Sequence, residues 1–200
     1  MNSFTLPTIP NQLQWKNEPV TWTVEQNALH ITAGARTDWF INPQGDTQKG
    51  DAPVALFSPG EGDFILKARV NVDFASTFDA GVLMVYEKDE VWGKLCFEFS
   101  PQRQPMIVSV VTKGVSDDSN SVVVEGNEVY QRVSKMGRAF AFHYSLDGNY
   151  WHMVRHFTLG DLSNLKIGFS SQSPTGEGCQ AIFSEISYQP ETLPDLRSGA

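Results

Sequence analysis

Residues 64–74 alternate strictly, with Phe64, Leu66, Ala68, Val70, Val72 and Phe74 on one side and Ile65, Lys67, Arg69, Asn71 and Asp73 on the other. A period of two marks a β-strand with one face in the core. Residues 79–100 repeat the pattern as two strands joined by the charged turn Glu87-Lys88-Asp89-Glu90. In the second of these, Leu95, Phe97 and Phe99 share one face, while Trp92, Lys94, Cys96 and Glu98 share the other. The first face is core-like. The second lines up an indole, an ammonium and a carboxylate, which suits the wall of a binding groove.

Strand follows strand around this unit. The start, with Pro7, Pro10 and Pro19, is expected to wander over the surface. Residues 20–24 and 28–33 read as a hairpin with Trp22, Val24, Leu29 and Ile31 pointing inward. Trp39 and Phe40 precede a long polar loop through residues 42–51, and Trp39 reads equally as a ligand-stacking ring or a buried anchor under that loop. Residues 106–113 form a strand, 116–121 (Ser-Asp-Asp-Ser-Asn-Ser) a polar turn, and 122–124 with 129–133 a short pair. Residues 139–146 and 150–157 make a hairpin about Asp147-Gly148-Asn149, with Trp151 and Arg155 locking it. Residues 165–170 and 181–188 complete the set, and at most one helical turn is expected, near 160–164.

About a dozen strands without helices predict an all-β fold, a jelly-roll sandwich of two antiparallel sheets in preference to a closed barrel. A chain of 200 residues fits one domain, 1–200, with 1–19 and 189–200 as loosely packed termini.

Charge and cysteine content narrow the function classes. A formal net charge of -8, from 15 basic and 23 acidic residues, argues against nucleic acid or an anionic membrane surface as partner. No basic-then-apolar leader and no apolar run of bilayer length is visible, so a soluble protein that is not secreted is expected. Cys96 and Cys179 are too few for a disulfide framework and read as small packed strand residues. His30, His143, His152 and His156 are scattered; His152 and His156 lie four residues apart on a strand, about 13 Å, too far for one metal. HExxH, CxxC and phosphate-loop motifs are missing, and Asp117-Asp118 with Asn120 reads more simply as a turn than as a cation site. Neither a metal nor a cofactor is expected.

Several motifs taken together resemble a known family. They are Asp79-Ala80-Gly81-Val82-Leu83-Met84, Trp92-Gly93-Lys94 with Glu98, Ser116-Asp117, Arg132-Val133-Ser134, Tyr144-Ser145-Leu146-Asp147-Gly148 with Trp151 and Arg155, and Gln172-Ser173-Pro174 before Phe183-Ser184. In order and spacing, over residues 39–188, the chain is similar to the family named for regulation of enolase protein 1. The resemblance implies a concanavalin A-like lectin/glucanase sandwich and a cytosolic role tied to carbohydrate metabolism, with a glycolytic enzyme such as enolase as partner. One fold hosts binders and enzymes alike, so chemistry must be read from the site.

Retaining glucanases of that superfamily need two carboxylates about 5 Å apart. Here Glu98 is the only carboxylate on its strand, with Lys94 four residues earlier on the same face, a geometry closer to an ion pair than to a general acid. The leading reading is a regulatory binding protein that takes a carbohydrate or small polar ligand on its concave sheet through Trp39, Trp92, Lys94, Glu98 and Arg132. A salt-bridge network of Lys94, Glu98 and Arg132 closing the sheet face is the competing reading of the same residues. The alternatives in function are a glycoside hydrolase with Glu98 as acid or base, and a pure protein-interaction module.

Overall fold

The computed structural model describes residues 3–199, which form strands and loops without a helix. In chain order the strands are β1 (Ser3–Phe4), β2 (Leu13–Asn17), β3 (Thr21–Glu25), β4 (Ala28–Gly34), β5 (Trp39–Ile41) and β6 (Gln48–Gly50). There follow β7 (Val54–Phe57), β8 (Phe64–Val72), β9 (Ala80–Lys88), β10 (Val91–Phe99), β11 (Pro105–Lys113) and β12 (Val115–Val123). The last five are β13 (Glu128–Met136), β14 (Ala139–Ser145), β15 (His152–Phe157), β16 (Lys166–Gln172) and β17 (Gly178–Gln189). The helical turn expected near 160–164 is a loop.

Two large antiparallel sheets face each other. One has eight strands in the order β1-β2-β7-β16-β9-β10-β11-β12, the other seven in the order β15-β14-β13-β8-β17-β4-β3; β5 and β6 form a separate pair. This is the jelly-roll type sandwich that the alternation predicts. Leu66, Val70 and Val72 of β8 meet Leu95 and Phe97 of β10 in the core between the sheets. Each fully buried side chain of this kind contributes about 1.5–3 kcal/mol.

Four expectations are corrected. Residues 116–121 are not a turn but belong to β12, held by β11 in a register that sets Ser116 against Thr112 and Asp118 against Val110. The long loop after Trp39 folds back as the β5–β6 hairpin, tightened by Gly45 N–H donating to Asn42 O at 2.8 Å. Trp22 and Val24 are each 37% exposed, because β3 is an edge strand; the Trp22 ring leans on Phe4 and Trp15 at 4.5 and 5.7 Å between centroids. Nor are the termini loose. Leu6 and Leu13 are buried and β2 pairs with β7, while Leu193 and Leu196 cover Ile65 and Ala141 on the outside of the seven-stranded sheet. Residues 1–2 and 200 lie outside the described residues.

Candidate functional site

The site is on the outer face of the eight-stranded sheet, opposite the core. The ladder places Lys94 of β10 between Met84 of β9 and Val110 of β11, with Asp118 of β12 next in the same row. Part of this face is roofed by the β5–β6 hairpin, under which Trp39, Met84, Tyr86, Trp92 and Val110 form a second apolar cluster.

That cluster decides the fate of both tryptophans proposed from the sequence. Trp92 has no exposed surface and Trp39 only 2%; their rings meet edge to face at 6.0 Å. Each indole N–H is spent on a backbone carbonyl, Trp39 on Ala52 at 2.9 Å and Trp92 on Asp89 at 3.1 Å. Neither can serve as a platform for a sugar ring, and Trp39 is the buried anchor of its two readings. Arg132 is also elsewhere. It lies on β13 in the other sheet, donating to Gly199 O at 2.7 Å and stacked over the Trp151 ring at 4.2 Å. Burial pulls its guanidinium down to about 10. The expected network of Lys94, Glu98 and Arg132 is therefore not formed. Trp151 and Arg155 do more than lock their hairpin, since Arg155 crosses to the opposite sheet and donates twice to Asp117 Oδ1, each at 3.1 Å.

Lys94 and Glu98 do come together, with partners the sequence did not mark. Lys94, 3% exposed, donates from Nζ to Asp38 Oδ1 and to Gln172 Oε1, both at 2.9 Å. Burial alone would push its ammonium down, but the neighbouring acids, Asp38 first among them, more than offset that and hold it above the usual lysine range. Asp38 is aimed by its own chain: its N–H donates to Asp51 Oδ1 and its Oδ1 accepts from Trp39 N–H. Gln172 turns its amide nitrogen to Phe78 O at 3.3 Å. A polar rail thus runs from Asp38 through Lys94 and Gln172 to the backbone of Phe78.

Above the rail is a small cavity of about 140 Å³. Phe40, Phe78 and Val110 give it apolar walls, and Glu98 and Asp118 bring carboxylates into it. Glu98 is 8% exposed and makes no side-chain hydrogen bond among the described residues. Desolvation raises its carboxyl to about 8; the Lys94 charge opposes the rise, while Asp118 and Asp38 add to it. Asp118 is raised by the same desolvation, and the buried Cys96 thiol beside them is pushed well up and stays protonated. Among the described residues no three His, Cys, Asp or Glu side chains are grouped to hold a metal ion.

Phe78 is the ring the sequence reading missed. It is 36% exposed at the rim of the cavity and has φ of 71°, a left-handed conformation that costs a bulky residue about 1–2 kcal/mol. The surrounding loop enforces it. The fully buried Asp79 accepts from Ala75 N–H at 3.0 Å, Ser76 N–H at 2.7 Å and Ser173 Oγ at 2.7 Å, and Phe78 N–H donates to Phe99 O at 2.7 Å. A residue forced into such a backbone and left half-open to solvent is a positioned one.

The comparisons with known proteins agree with this architecture. A functionally unknown protein from Saccharomyces cerevisiae superposes with a TM-score of 0.79 at 24% identity, over 88% of this chain and 95% of that one. A xylan beta-1,4-xylosidase from Bacillus halodurans superposes with a TM-score of 0.72 at 14% identity, over 88% of this chain but only 36% of the xylosidase. Carbohydrate binding module CBM66 from Bacillus subtilis gives 0.50 at 11% identity, over 88% and 94% of the two chains. At these identities the likeness establishes the fold. No curated protein matches the chain. The profile described as "Protein of unknown function (DUF1349)" matches residues 15–191, and the chain belongs to that family.

Proposed function

We propose that this protein binds a carbohydrate or a small polar ligand in the cavity at Glu98, on the outer face of the eight-stranded sheet. One observation carries the reading: Glu98, 8% exposed, makes no side-chain hydrogen bond among the described residues and opens onto a cavity with an exposed aromatic ring at its rim. Its oxygens are free to bond whatever occupies the cavity, and a ligand hydroxyl or amine can take the place of water there. Phe78 supplies the apolar surface a sugar ring stacks on. A volume of about 140 Å³ is small beside the roughly 300–1,000 Å³ of common ligand sites, which suits one ring or part of one.

A second reading, glycoside hydrolysis, is favoured by the Glu98 carboxyl at about 8, protonated at neutral pH as a general acid must be. Its weakness is the second carboxylate. Asp118 belongs to β12, two strands away, in the row of Lys94 and not in that of Glu98, so the two carboxylates are not neighbours on one strand as in the retaining glucanases.

The finer form of our proposal is a cytoplasmic regulator of carbohydrate metabolism with a glycolytic enzyme such as enolase as partner. It is supported by the motif resemblance, and the two buried free cysteines suit a reducing compartment. Thermal shift against a panel of mono- and oligosaccharides tests the ligand reading, with Glu98→Gln as the control. A rise in Tm lost in that variant supports it. No shift with any sugar at millimolar concentration counts against it, and a pull-down with purified enolase then tests the interaction reading.

A further inference from the structure

The charge around the Glu98 cavity is unbalanced. Three carboxylates, Asp38, Glu98 and Asp118, share it with one ammonium, Lys94, whose bonds already go to Asp38 and Gln172. Fully ionised, the set would carry one positive and three negative charges. Cys96, neutral because it is buried, adds nothing to offset this, Arg155 is held by Asp117 on the inner side of β12, and Lys49 is held by Asp51. Desolvation and this mutual repulsion keep the Glu98 carboxyl protonated at neutral pH.

We propose that the group this cavity takes is an organic cationic nitrogen, such as the ammonium of an amino sugar, seated on the Glu98 carboxylate with Phe40 and Phe78 as its aromatic walls. The inference rests on the ligand reading above and narrows its chemistry. Three features support it. The Glu98 oxygens, unpaired among the described residues, are acceptors for an N–H, two phenyl side chains line the cavity as surfaces on which a cation packs, and the carboxyl groups outnumber the one ammonium, Lys94. A metal ion does not fit, because the carboxylates are not grouped as ligands. A phosphate or other anion would enter a cavity lined by acidic side chains whose one ammonium is already bonded to Asp38 and Gln172. When the ammonium enters, the Glu98 carboxyl gives its proton to solvent and becomes the counter-ion.

Isothermal titration of the full chain at pH 7 tests this, in two buffers of different ionisation heat. The probes are two pairs matched in shape, D-glucosamine with D-glucose and ethanolamine with ethylene glycol. The expected result is that at least one amine binds about 10-fold or more tightly than its neutral partner, with release of protons to the buffer. Glu98→Gln, which keeps the shape and loses the charge, abolishes both the preference and the proton release. If the neutral partners bind as well as the amines, and Glu98→Gln weakens all alike, the cationic inference is overturned while the ligand reading stands. If no probe of either kind gives a Glu98-dependent signal, both fall.

Discussion

Lys94 Nζ and Asp38 Oδ1, 56 residues apart in sequence, meet at 2.9 Å and tie the middle of the eight-stranded sheet to the segment leading into β5. Removing one member of a buried pair strands the other charge, at a cost of about 3–5 kcal/mol, whereas removing both costs less. Lys94→Met is therefore expected to lower stability by about 3 kcal/mol, somewhat less than the full figure of a sealed pair if Asp38, 17% exposed in its side chain, regains water. Urea unfolding of the two single variants and of Lys94→Met with Asp38→Asn checks it. Strict additivity in that cycle would mean that the pair is not coupled.

The Glu98 carboxyl gives a pH dependence of defined sign. Its pKa is raised in the folded state from the ordinary 4.5 to about 8, so between those values the folded protein holds a proton that the unfolded chain has lost. Stability from this group falls as pH rises from about 5 to 8 and is level above. His143 acts oppositely, burial having lowered it from 6.5 to about 4, so it destabilises below pH 6.5. Between pH 6.5 and 8 only Glu98 of the two titrates. Subtracting the stability curve of Glu98→Gln from that of the parent isolates it, and a flat difference over that range would refute the assignment.

Phe78→Gly is expected to separate stability from binding. Glycine adopts φ of 71° without strain, so Tm should hold or rise by the equivalent of about 1 kcal/mol while ligand affinity drops. A large fall in Tm with unchanged affinity would show that the ring is a packing residue.

Trp92→Ala should do the reverse. The side chain is fully buried in the cluster beneath the β5–β6 hairpin, and its loss opens a cavity costing about 3–5 kcal/mol. A variant of normal stability that has lost ligand binding would reinstate Trp92 as a contact residue.

The sandwich and its two central strands were legible because alternation in residues 64–74 and 91–99 is driven by burial itself, and Leu95 and Phe97 lie in the core as their spacing requires. That Lys94 and Glu98 share a face of β10 was legible from their spacing, and the two do line one cavity. What the pattern lacks is the identity of the neighbours. Arg132 falls in the other sheet, Asp38 and Gln172 arrive from distant segments, and Trp39 and Trp92 are covered by a hairpin whose polar sequence reads as a loop. Phe78 was hidden for a different reason: its value lies in a left-handed backbone imposed by the Asp79 bonds, which no periodicity expresses.

β12 was misread because it is an outer strand with six polar residues in succession, Ser116 to Ser121. That same composition has a consequence for the molecule among its copies. An outer strand offers a row of free backbone donors and acceptors on which another chain can grow a sheet, and carboxylates side by side along it repel an incoming strand of the same kind. Asp118, beside the Asp117–Arg155 pair, thus leaves charge along that border, and a chain with both carboxylates neutralised is expected to aggregate sooner at high concentration.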